Sequence, residues 1–300
     1  MSKTKAWFGA ARLRTLPLSV SGILVGSFYA FSQGFTNWNI LSFALLTTLG
    51  LQVLSNFAND YGDGVKGTDN EHRVGPQRAL QSGIITAPEM KTGIIVASIL
   101  TLAFAVILIY LSFGKENFAY SLFFFFLGLA AIAAAIKYTV GSSAYGYRGL
   151  GDIFVFLFFG LVSVVGCYFL FTRTIDGLVI LPAIAVGMLS VAVLNLNNMR
   201  DRESDAMVGK NTLAVQMGAV KAKYYHYFLI MIPLVLLLLF AALAKFQPVQ
   251  YLFLIAYLPF IFHLKTVANN TIPRALDPEL KKVALGTFFL SVLLCVAFQL

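Results

Sequence analysis

Long apolar runs alternate with short polar segments along almost the whole chain. A transmembrane helix needs about 20 predominantly apolar residues, and nine runs approach or reach that length. They predict spans at roughly 16–35, 40–58, 92–113, 119–137, 151–171, 178–198, 225–244, 250–267 and 283–300. The first run lacks an A-x-A-like cleavage site, so we expect it to stay in the membrane. The pattern predicts an all-α membrane protein, with residues 1–300 as one integral-membrane domain.

Composition supports this class. Hydrophobic residues make up 59% of the chain and charged residues only 12%, which is far from the soluble norm and leaves no room for a soluble domain. Cys167 and Cys295 lie alone in apolar runs, so neither a zinc site nor a disulfide framework is supported. The three histidines are scattered and are interpreted as loop or interface residues: His72, His226 and His263.

Basic residues are distributed unevenly between the two sides of the predicted bundle. Of the 22 Lys and Arg residues, all but Lys115, Arg173 and Lys245, and therefore 19, lie at the N-terminus or after spans two, four, six and eight. By the positive-inside rule this side is cytoplasmic, with the N-terminus inside and the C-terminus outside. The net charge of +9 is thus a topology signal, and no basic helix or aromatic RNA motif indicates nucleic-acid binding.

Acidic residues follow the same asymmetry, although topology does not require it. Eleven of the 13 lie on the basic side, the exceptions being Glu116 and Asp176. The predicted connections on that side are also long, about 32 residues after span two and 26 after span six, whereas the outer turns after spans three, five and seven have about five. Long connections in compact proteins are usually functional, so we expect the chemistry at the cytoplasmic face.

The end of span two carries the first acidic motif, in residues 56–69. Asn56, Asp60 and Asp63 are spaced i, i+4 and i+7, which places them on one helix face. Asn59 and Asp69 extend the motif. Ionisable groups at a membrane boundary are costly and tend to be functional. The alternative is that these residues only end a helix in a solvated loop. That alternative does not explain why like charges are placed together.

A similar motif, in residues 197–212, follows span six. Asn197, Asp201 and Asp205 are spaced i, i+4 and i+8, with Asn198 beside them. Downstream, residues 80–83 (LQSG) match residues 215–218 (VQMG). These matches predict an internal duplication, and such repeats often place a shared site between the two halves of a membrane protein.

Two acidic stripes with interleaved basic residues predict a diphosphate site. Mg²⁺ prefers oxygen ligands, commonly one or two carboxylates together with substrate phosphates, and Lys or Arg can bind the remaining phosphate oxygens. Each nearby cation could instead serve only topology. The candidate diphosphate-binding residues are Lys66, Arg73, Arg78, Arg200 and Lys210.

A third segment, residues 137–152, precedes span five. Its glycines suit turns or close packing, and Asp152 could simply be a favourable charge near a helix start. Tyr138 lies at a predicted interface, where aromatic residues are common. Alternatively, its ring could stabilise a carbocation by cation–π contact.

Together these segments resemble the UbiA superfamily of intramembrane prenyltransferases over nearly the whole chain. Residues 58–69 (ANDYGDGVKGTD), 146–152 (GYRGLGD) and 209–215 (GKNTLAV) are similar to the naphthoate branch, which acts in menaquinone synthesis. Arg14-Thr-Leu-Pro17 is similar to that branch's N-terminal segment. The resemblance implies nine helices around a central cavity that opens to lipid, in the bacterial inner membrane. It also implies Mg²⁺ held by Asp60, Asp63, Asp201 and Asp205, supported by Asn56 and Asn197.

One departure from the wider family favours the naphthoate branch. Many relatives that prenylate 4-hydroxybenzoate have a Tyr-x-x-x-Lys element after span four, whereas here Tyr138 is followed by Ser142. The resemblance implies transfer of a polyprenyl group from its diphosphate to 1,4-dihydroxy-2-naphthoate, with decarboxylation to a demethylmenaquinone. It specifies neither prenyl chain length nor oligomeric state.

Two other classes fit less well. CDP-alcohol phosphotransferases also use Asp clusters in membranes, but Asp63-Gly64 is not followed by their Ala-Arg, and the clusters here are about 140 residues apart. A cation transporter would need ionisable groups near mid-membrane, whereas these acidic clusters lie at one boundary.

Overall fold

The computed structural model describes residues 2–68, 74–75 and 77–300. Throughout this part of the chain the regular structure is helical. The long helices are α1 (Lys3–Ala11), α2 (Leu16–Ser32), α3 (Trp38–Val65), α4 (Ala87–Phe113), α5 (Phe118–Lys137), α6 (Gly151–Thr172), α7 (Gly177–Met207), α8 (Leu213–Leu243), α9 (Pro248–Asn269) and α10 (Pro273–Gln299).

Within the described residues, α3 to α10 are each long and apolar enough to cross a membrane. The helices α1 and α2 form a bent pair that makes a ninth span when counted together. The bend is at Arg12, whose φ of +52° ends α1 in the left-handed region. Counted this way, the predicted nine-helix membrane bundle is confirmed.

The helices carrying the acidic motifs extend further than the apolar runs indicate. The helix α3 ends at Val65 rather than at 58, and α7 ends at Met207 rather than at 198. The prediction of a 26-residue connection after span six is therefore wrong, since only residues 208–212 separate α7 from α8. Polar residues continue both helices, and the Thr212 side chain caps α8 by accepting a hydrogen bond from the Val215 N–H.

The connection between α3 and α4 does remain long. Its end is fixed by a capping box, in which Thr86 and Glu89 exchange side-chain and backbone hydrogen bonds. Glu89 also pairs with Lys3, which attaches α1 to the start of α4. The matched glycines Gly83 and Gly218 both adopt positive φ, +70° and +74°. The duplication itself stays a prediction.

Helix α7 is the central helix of the bundle. In its most apolar 18-residue stretch, 61% of the residues are buried, a larger share than in any other span found in the described residues. It packs against α6, α8 and α10, and α10 also packs on α2. Residues 156–166 of α6 have π-helical geometry, a feature often found at functional sites. The second acidic motif is thus carried by the most enclosed of the spans found in the described residues.

Candidate active site

A cavity of about 400 Å³ lies inside the bundle, between α2, α3, α4, α5, α6 and α7. One end is polar and is formed where α3 and α7 end. The rest of the wall is apolar and extends past residues such as Leu108, Phe124 and Leu170. The polar lining comprises Arg12, Asn56, Asn59, Asp63, Thr68, Arg78, Asn197, Asn198, Asp201, Ser204, Asp205 and Lys210, among others. The two sequence motifs therefore meet at one end of one cavity.

Within the first motif, Asp60 pairs with two basic residues. Its Oδ1 lies 2.5 Å from Nη2 of Arg12 and 3.6 Å from Nε of Arg78, and its side chain is only 1% exposed. Asn56, one turn earlier, donates from Nδ2 to the Ala11 carbonyl at 2.9 Å. Both interactions depend on the bend after α1, which brings residues 11 and 12 against α3.

Asp63 faces a different set of partners. The hydroxyl of Tyr147 donates to its Oδ1 at 2.8 Å, and Nζ of Lys210 lies 3.8 Å from its Oδ2. The same Lys210 nitrogen lies 3.7 Å from Oδ1 of Asp205. One ammonium group therefore bridges a carboxylate of the first motif and a carboxylate of the second.

Asp201 in the second motif is held by Arg200. The guanidinium donates from Nε to Oδ1 at 2.8 Å and from Nη2 to Oδ2 at 2.6 Å. It also donates to Asn197 Oδ1 at 2.9 Å and to Asp277 Oδ1, at the start of α10, at 2.5 Å. Arg200 is 2% exposed, and it supports Asp201 from behind the cavity wall.

The two lysines next to Tyr147 differ in their electrostatics. Partial burial of the Lys66 ammonium lowers its pKa, an effect that the Asp63 carboxylate opposes and does not cancel. Burial also disfavours charged Lys210, but the Asp63 and Asp205 carboxylates outweigh it and raise the pKa of Lys210. Burial, together with Asp63, raises the pKa of Tyr147, which keeps its hydroxyl protonated. The two neighbouring carboxylates therefore favour the charged form of Lys210.

Tyr138 lies on the cavity wall, where two glycines of the third segment make room for it. A Cβ at Gly146 would lie 2.7 Å from the Tyr138 carbonyl oxygen and 3.1 Å from its ring. A Cβ at Gly151 would lie 3.1 Å from the ring and hydroxyl. Tyr145 packs edge-on against the Tyr138 ring, with 5.3 Å between centroids. The glycines in this segment thus fix the position of one aromatic ring.

The predicted site residues fall into three groups. Most line the cavity: Asn56, Asn59, Asp63, Arg78, Tyr138, Asn197, Asn198, Asp201, Asp205 and Lys210. Asp60, Lys66 and Arg200 support these from outside the lining, Lys66 by donating to the Thr139 carbonyl at 2.7 Å. Asp69 and Arg73 lie outside the described residues.

Sequence reasoning missed three functional partners. The sequence indicates Arg12 only as a topology charge, Tyr147 only as part of a resembling segment, and Asp277 only as one of the acids on the basic side. The position of Arg12, two residues before Arg14 in the matching N-terminal segment, was an available signal for its role. No comparable signal marks Asp277, because its partner is 77 residues away in sequence.

The residues present suit Mg²⁺ bound together with a diphosphate. Among the described residues, no group of three or more His, Cys, Asp or Glu side chains is arranged to hold a metal by itself. Mg²⁺ does not need such a cage, since one or two carboxylates with substrate phosphates and water are usual. Asp63, Asp201 and Asp205, with the Asn59 and Asn198 amides, supply oxygen atoms at the polar end of the cavity.

Comparisons with known proteins agree with this arrangement. The profile of the UbiA prenyltransferase family matches residues 19–297, so the chain belongs to that family. Among similar proteins, 1,4-dihydroxy-2-naphthoate octaprenyltransferase of Haemophilus influenzae is 45% identical, over 97% of this chain and 94% of the relative. The protein of the same name from Escherichia coli is 42% identical, over 98% of this chain and 94% of the relative.

Solved structures share the fold. The apo structure of a UbiA homolog from Aeropyrum pernix has a TM-score of 0.69 at 13% identity, covering 95% of this chain and 97% of that one. A UbiA homolog from Archaeoglobus fulgidus, bound to DMAPP and Mg²⁺, has a TM-score of 0.62 at 19% identity. The match covers 95% of this chain and 99% of that one. The helical architecture of this multi-pass membrane protein is thus that of the family.

Proposed function

We propose that this protein transfers a polyprenyl group from a polyprenyl diphosphate to 1,4-dihydroxy-2-naphthoate, in menaquinone synthesis. The observation that carries the proposal is the cavity, in which two acidic motifs and Lys210 form one polar end above a long apolar wall. The polar end suits a charged diphosphate, and the apolar wall suits a prenyl tail. The names of relatives 45% and 42% identical to this chain over nearly its full length support the acceptor.

Asp63, Asp201 and Asp205 would hold Mg²⁺, with Asp60 kept close by Arg12 and Arg78. Mg²⁺ bound there supplies positive charge that stabilises the departing diphosphate. The Mg²⁺ and prenyl diphosphates bound in solved UbiA homologs support this assignment. Lys210 already lies between carboxylates of both motifs, so the site is arranged around a positive charge.

The protein's own cations would bind the donor's phosphates. Arg78 and Lys210 line the polar end of the cavity and can donate to phosphate oxygens. When the allylic carbon–oxygen bond breaks, its electron pair leaves with the diphosphate, and these fixed charges stabilise the product anion. Tyr138 lines the same cavity, where its ring face can stabilise the allyl cation. The apolar wall excludes water that would otherwise capture that cation.

The acceptor then attacks the allyl cation. Two ring oxygens make the naphthoate electron-rich, and attack at the carboxylate-bearing carbon allows loss of CO₂ to restore aromaticity. The product is demethylmenaquinone in its hydroquinone form, with diphosphate and CO₂ released. This route needs no strong protein base, and no histidine is among the described residues lining the cavity.

The charge distribution supports an active site facing the cytoplasm of a bacterial inner membrane. Lys66, Arg78, Arg200 and Lys210 all belong to the basic side that the positive-inside rule assigns to the cytoplasm. Both substrates would then enter from that side, the naphthoate from solution and the prenyl tail from the lipid.

Release of diphosphate by the purified protein tests the proposal. We expect release from farnesyl diphosphate only when Mg²⁺ and the naphthoate are both present, with one prenylated product per diphosphate. Release of CMP from a CDP-alcohol would indicate a phosphotransferase. Ion flux across proteoliposomes without any diphosphate release would indicate a transporter, and either result would overturn the proposal.

A further inference from the structure

Tyr147 contacts both acidic motifs, although it belongs to neither. It lies in the short helical turn Tyr145–Arg148, between α5 and α6. Its hydroxyl donates to Asp63 in the first motif at 2.8 Å. Its carbonyl oxygen accepts from the backbone N–H of Asn211 in the second at 3.0 Å. The turn therefore joins the ends of α3 and α7 through one residue.

The direction of the hydrogen bonds around the Tyr147 hydroxyl is determined. A tyrosine hydroxyl has one proton, and the Asp63 carboxylate can only accept. The Thr68 hydroxyl, 2.6 Å from the Tyr147 oxygen, must therefore donate to it. The result is a directed chain from Thr68 through Tyr147 to Oδ1 of Asp63, which leaves Oδ2 on the side of Lys210.

The ring of Tyr147 organises the neighbouring cations. Nζ of Lys66 lies 4.0 Å from the ring centroid and Nζ of Lys210 lies 5.4 Å from it. Both distances are within the range of cation–π attraction. Two like charges are thus held near each other beside Asp63, where the ring offsets part of their repulsion.

We infer that Tyr147 is a positioning residue of the metal and diphosphate site, whose hydroxyl orients Asp63 and whose ring holds Lys66 and Lys210. The inference rests on the proposed function. Groups that hydrogen-bond to metal ligands commonly change metal affinity by 10- to 100-fold. The hydroxyl and the ring have separable roles, because phenylalanine removes only the first and leucine removes both.

Metal and donor binding by the purified full chain separate these roles. Bound Mn²⁺, used in place of Mg²⁺, is followed by electron paramagnetic resonance in the presence of farnesyl thiodiphosphate, an unreactive donor. Tyr147→Phe should weaken Mn²⁺ binding about tenfold with little change in thiodiphosphate affinity. Tyr147→Leu should weaken both. Thr68→Val removes the hydrogen bond to Tyr147 but leaves that from Tyr147 to Asp63 in place. It should lower Mn²⁺ affinity by a smaller factor, about two- to threefold.

Tyr29→Phe is the matched control. Tyr29 donates to the Asp176 carboxylate at 2.5 Å, so the same chemical group is removed from the same kind of bond away from the cavity lining. It should leave Mn²⁺ and thiodiphosphate affinities unchanged. Wild-type affinity in Tyr147→Phe, or an equal loss in Tyr29→Phe, would overturn the inference.

The outcomes also separate the inference from the proposed function. If the wild type binds Mn²⁺ and transfers the prenyl group, an unaffected Tyr147→Phe overturns only the role of Tyr147. If the wild type binds neither Mn²⁺ nor the thiodiphosphate, the metal and donor assignments of the proposed function fail first. Thr68→Val gives an independent reading if a Tyr147 variant does not fold.

Discussion

Arg200 and Asp201 form a two-point ion pair, with guanidinium nitrogens 2.8 and 2.6 Å from the two carboxylate oxygens. The same guanidinium reaches Asp277 at the start of α10. Arg200 thus fixes the candidate metal ligand Asp201 and links it to the last helix. Because Arg200 is buried and outside the cavity lining, we expect it to hold Asp201 rather than to contact substrate.

Replacing Arg200 by lysine should therefore be damaging. Lysine keeps the charge but cannot form the planar two-point pair, so Asp201 loses its fixed orientation. We expect prenyl transfer to fall at least about tenfold and the apparent Mg²⁺ requirement to rise. Initial rates at several Mg²⁺ concentrations measure both quantities.

Arg202→Lys is the matched control for this experiment. Arg202 is two residues further along α7 and pairs with Glu203 in a more exposed position, 3.0 Å apart. Exposed pairs of this kind contribute little, so this variant should retain wild-type rates. Equal loss in both variants would show that α7 tolerates no such change and would contradict a specific role for Arg200.

The four acidic residues should be needed for activity more than for folding. Asn in place of Asp63, Asp201 or Asp205 keeps the size of the side chain but removes a charge proposed to bind metal. Asn in place of Asp60 removes the charge that pairs with Arg12 and Arg78. Each variant should lose nearly all transfer activity while remaining folded in the membrane, and excess EDTA should abolish wild-type activity. Melting curves of the purified variants separate lost chemistry from lost structure, and full activity in EDTA would rule out the metal assignment.

The glycine next to Tyr138 should tolerate no side chain. A Cβ at Gly146 would come within 2.7 Å of the Tyr138 carbonyl oxygen, so Gly146→Ala must displace the tyrosine or the turn. We expect a loss of about 1–3 kcal/mol in stability, as for other overpacked sites, with reduced activity. Gly177→Ala serves as the control because nothing lies within 4 Å of its added Cβ. Melting temperatures that fall equally in both variants would contradict the packing argument.

Much of this architecture could be predicted from the sequence, for identifiable reasons. Apolar runs of span length predicted the helices, and the i, i+4, i+7 spacing of Asn56, Asp60 and Asp63 predicted that they share one helix. The error after span six arose because polar residues such as Asp201 and Asp205 continue a helix without an apolar signal. The pairing of Arg12 with Asp60 depends on a backbone bend, and that of Arg200 with Asp277 on packing of α7 against α10. Neither ion pair is marked by a local pattern in the sequence.

The orientation of the bundle can be tested by cysteine labelling. Cysteines at Lys66 and Glu203, both exposed, should react with a membrane-impermeant maleimide only when the cytoplasmic face is accessible. A cysteine at Lys115, exposed beyond α4, should react only from the other side. The background needs Cys167 and Cys295 replaced, although both are buried. Labelling of positions 66 and 203 from opposite sides would contradict a shared site.

The central claim is the prenylation of 1,4-dihydroxy-2-naphthoate with loss of its carboxylate. Its most direct test is to supply the purified enzyme with Mg²⁺, farnesyl diphosphate and acceptor carrying ¹³C in the carboxylate. Mass spectrometry should show labelled CO₂ appearing in step with a prenylated naphthohydroquinone that has lost the label. Efficient prenylation of 4-hydroxybenzoate with its carboxylate retained, and no reaction of the naphthoate, would contradict the account.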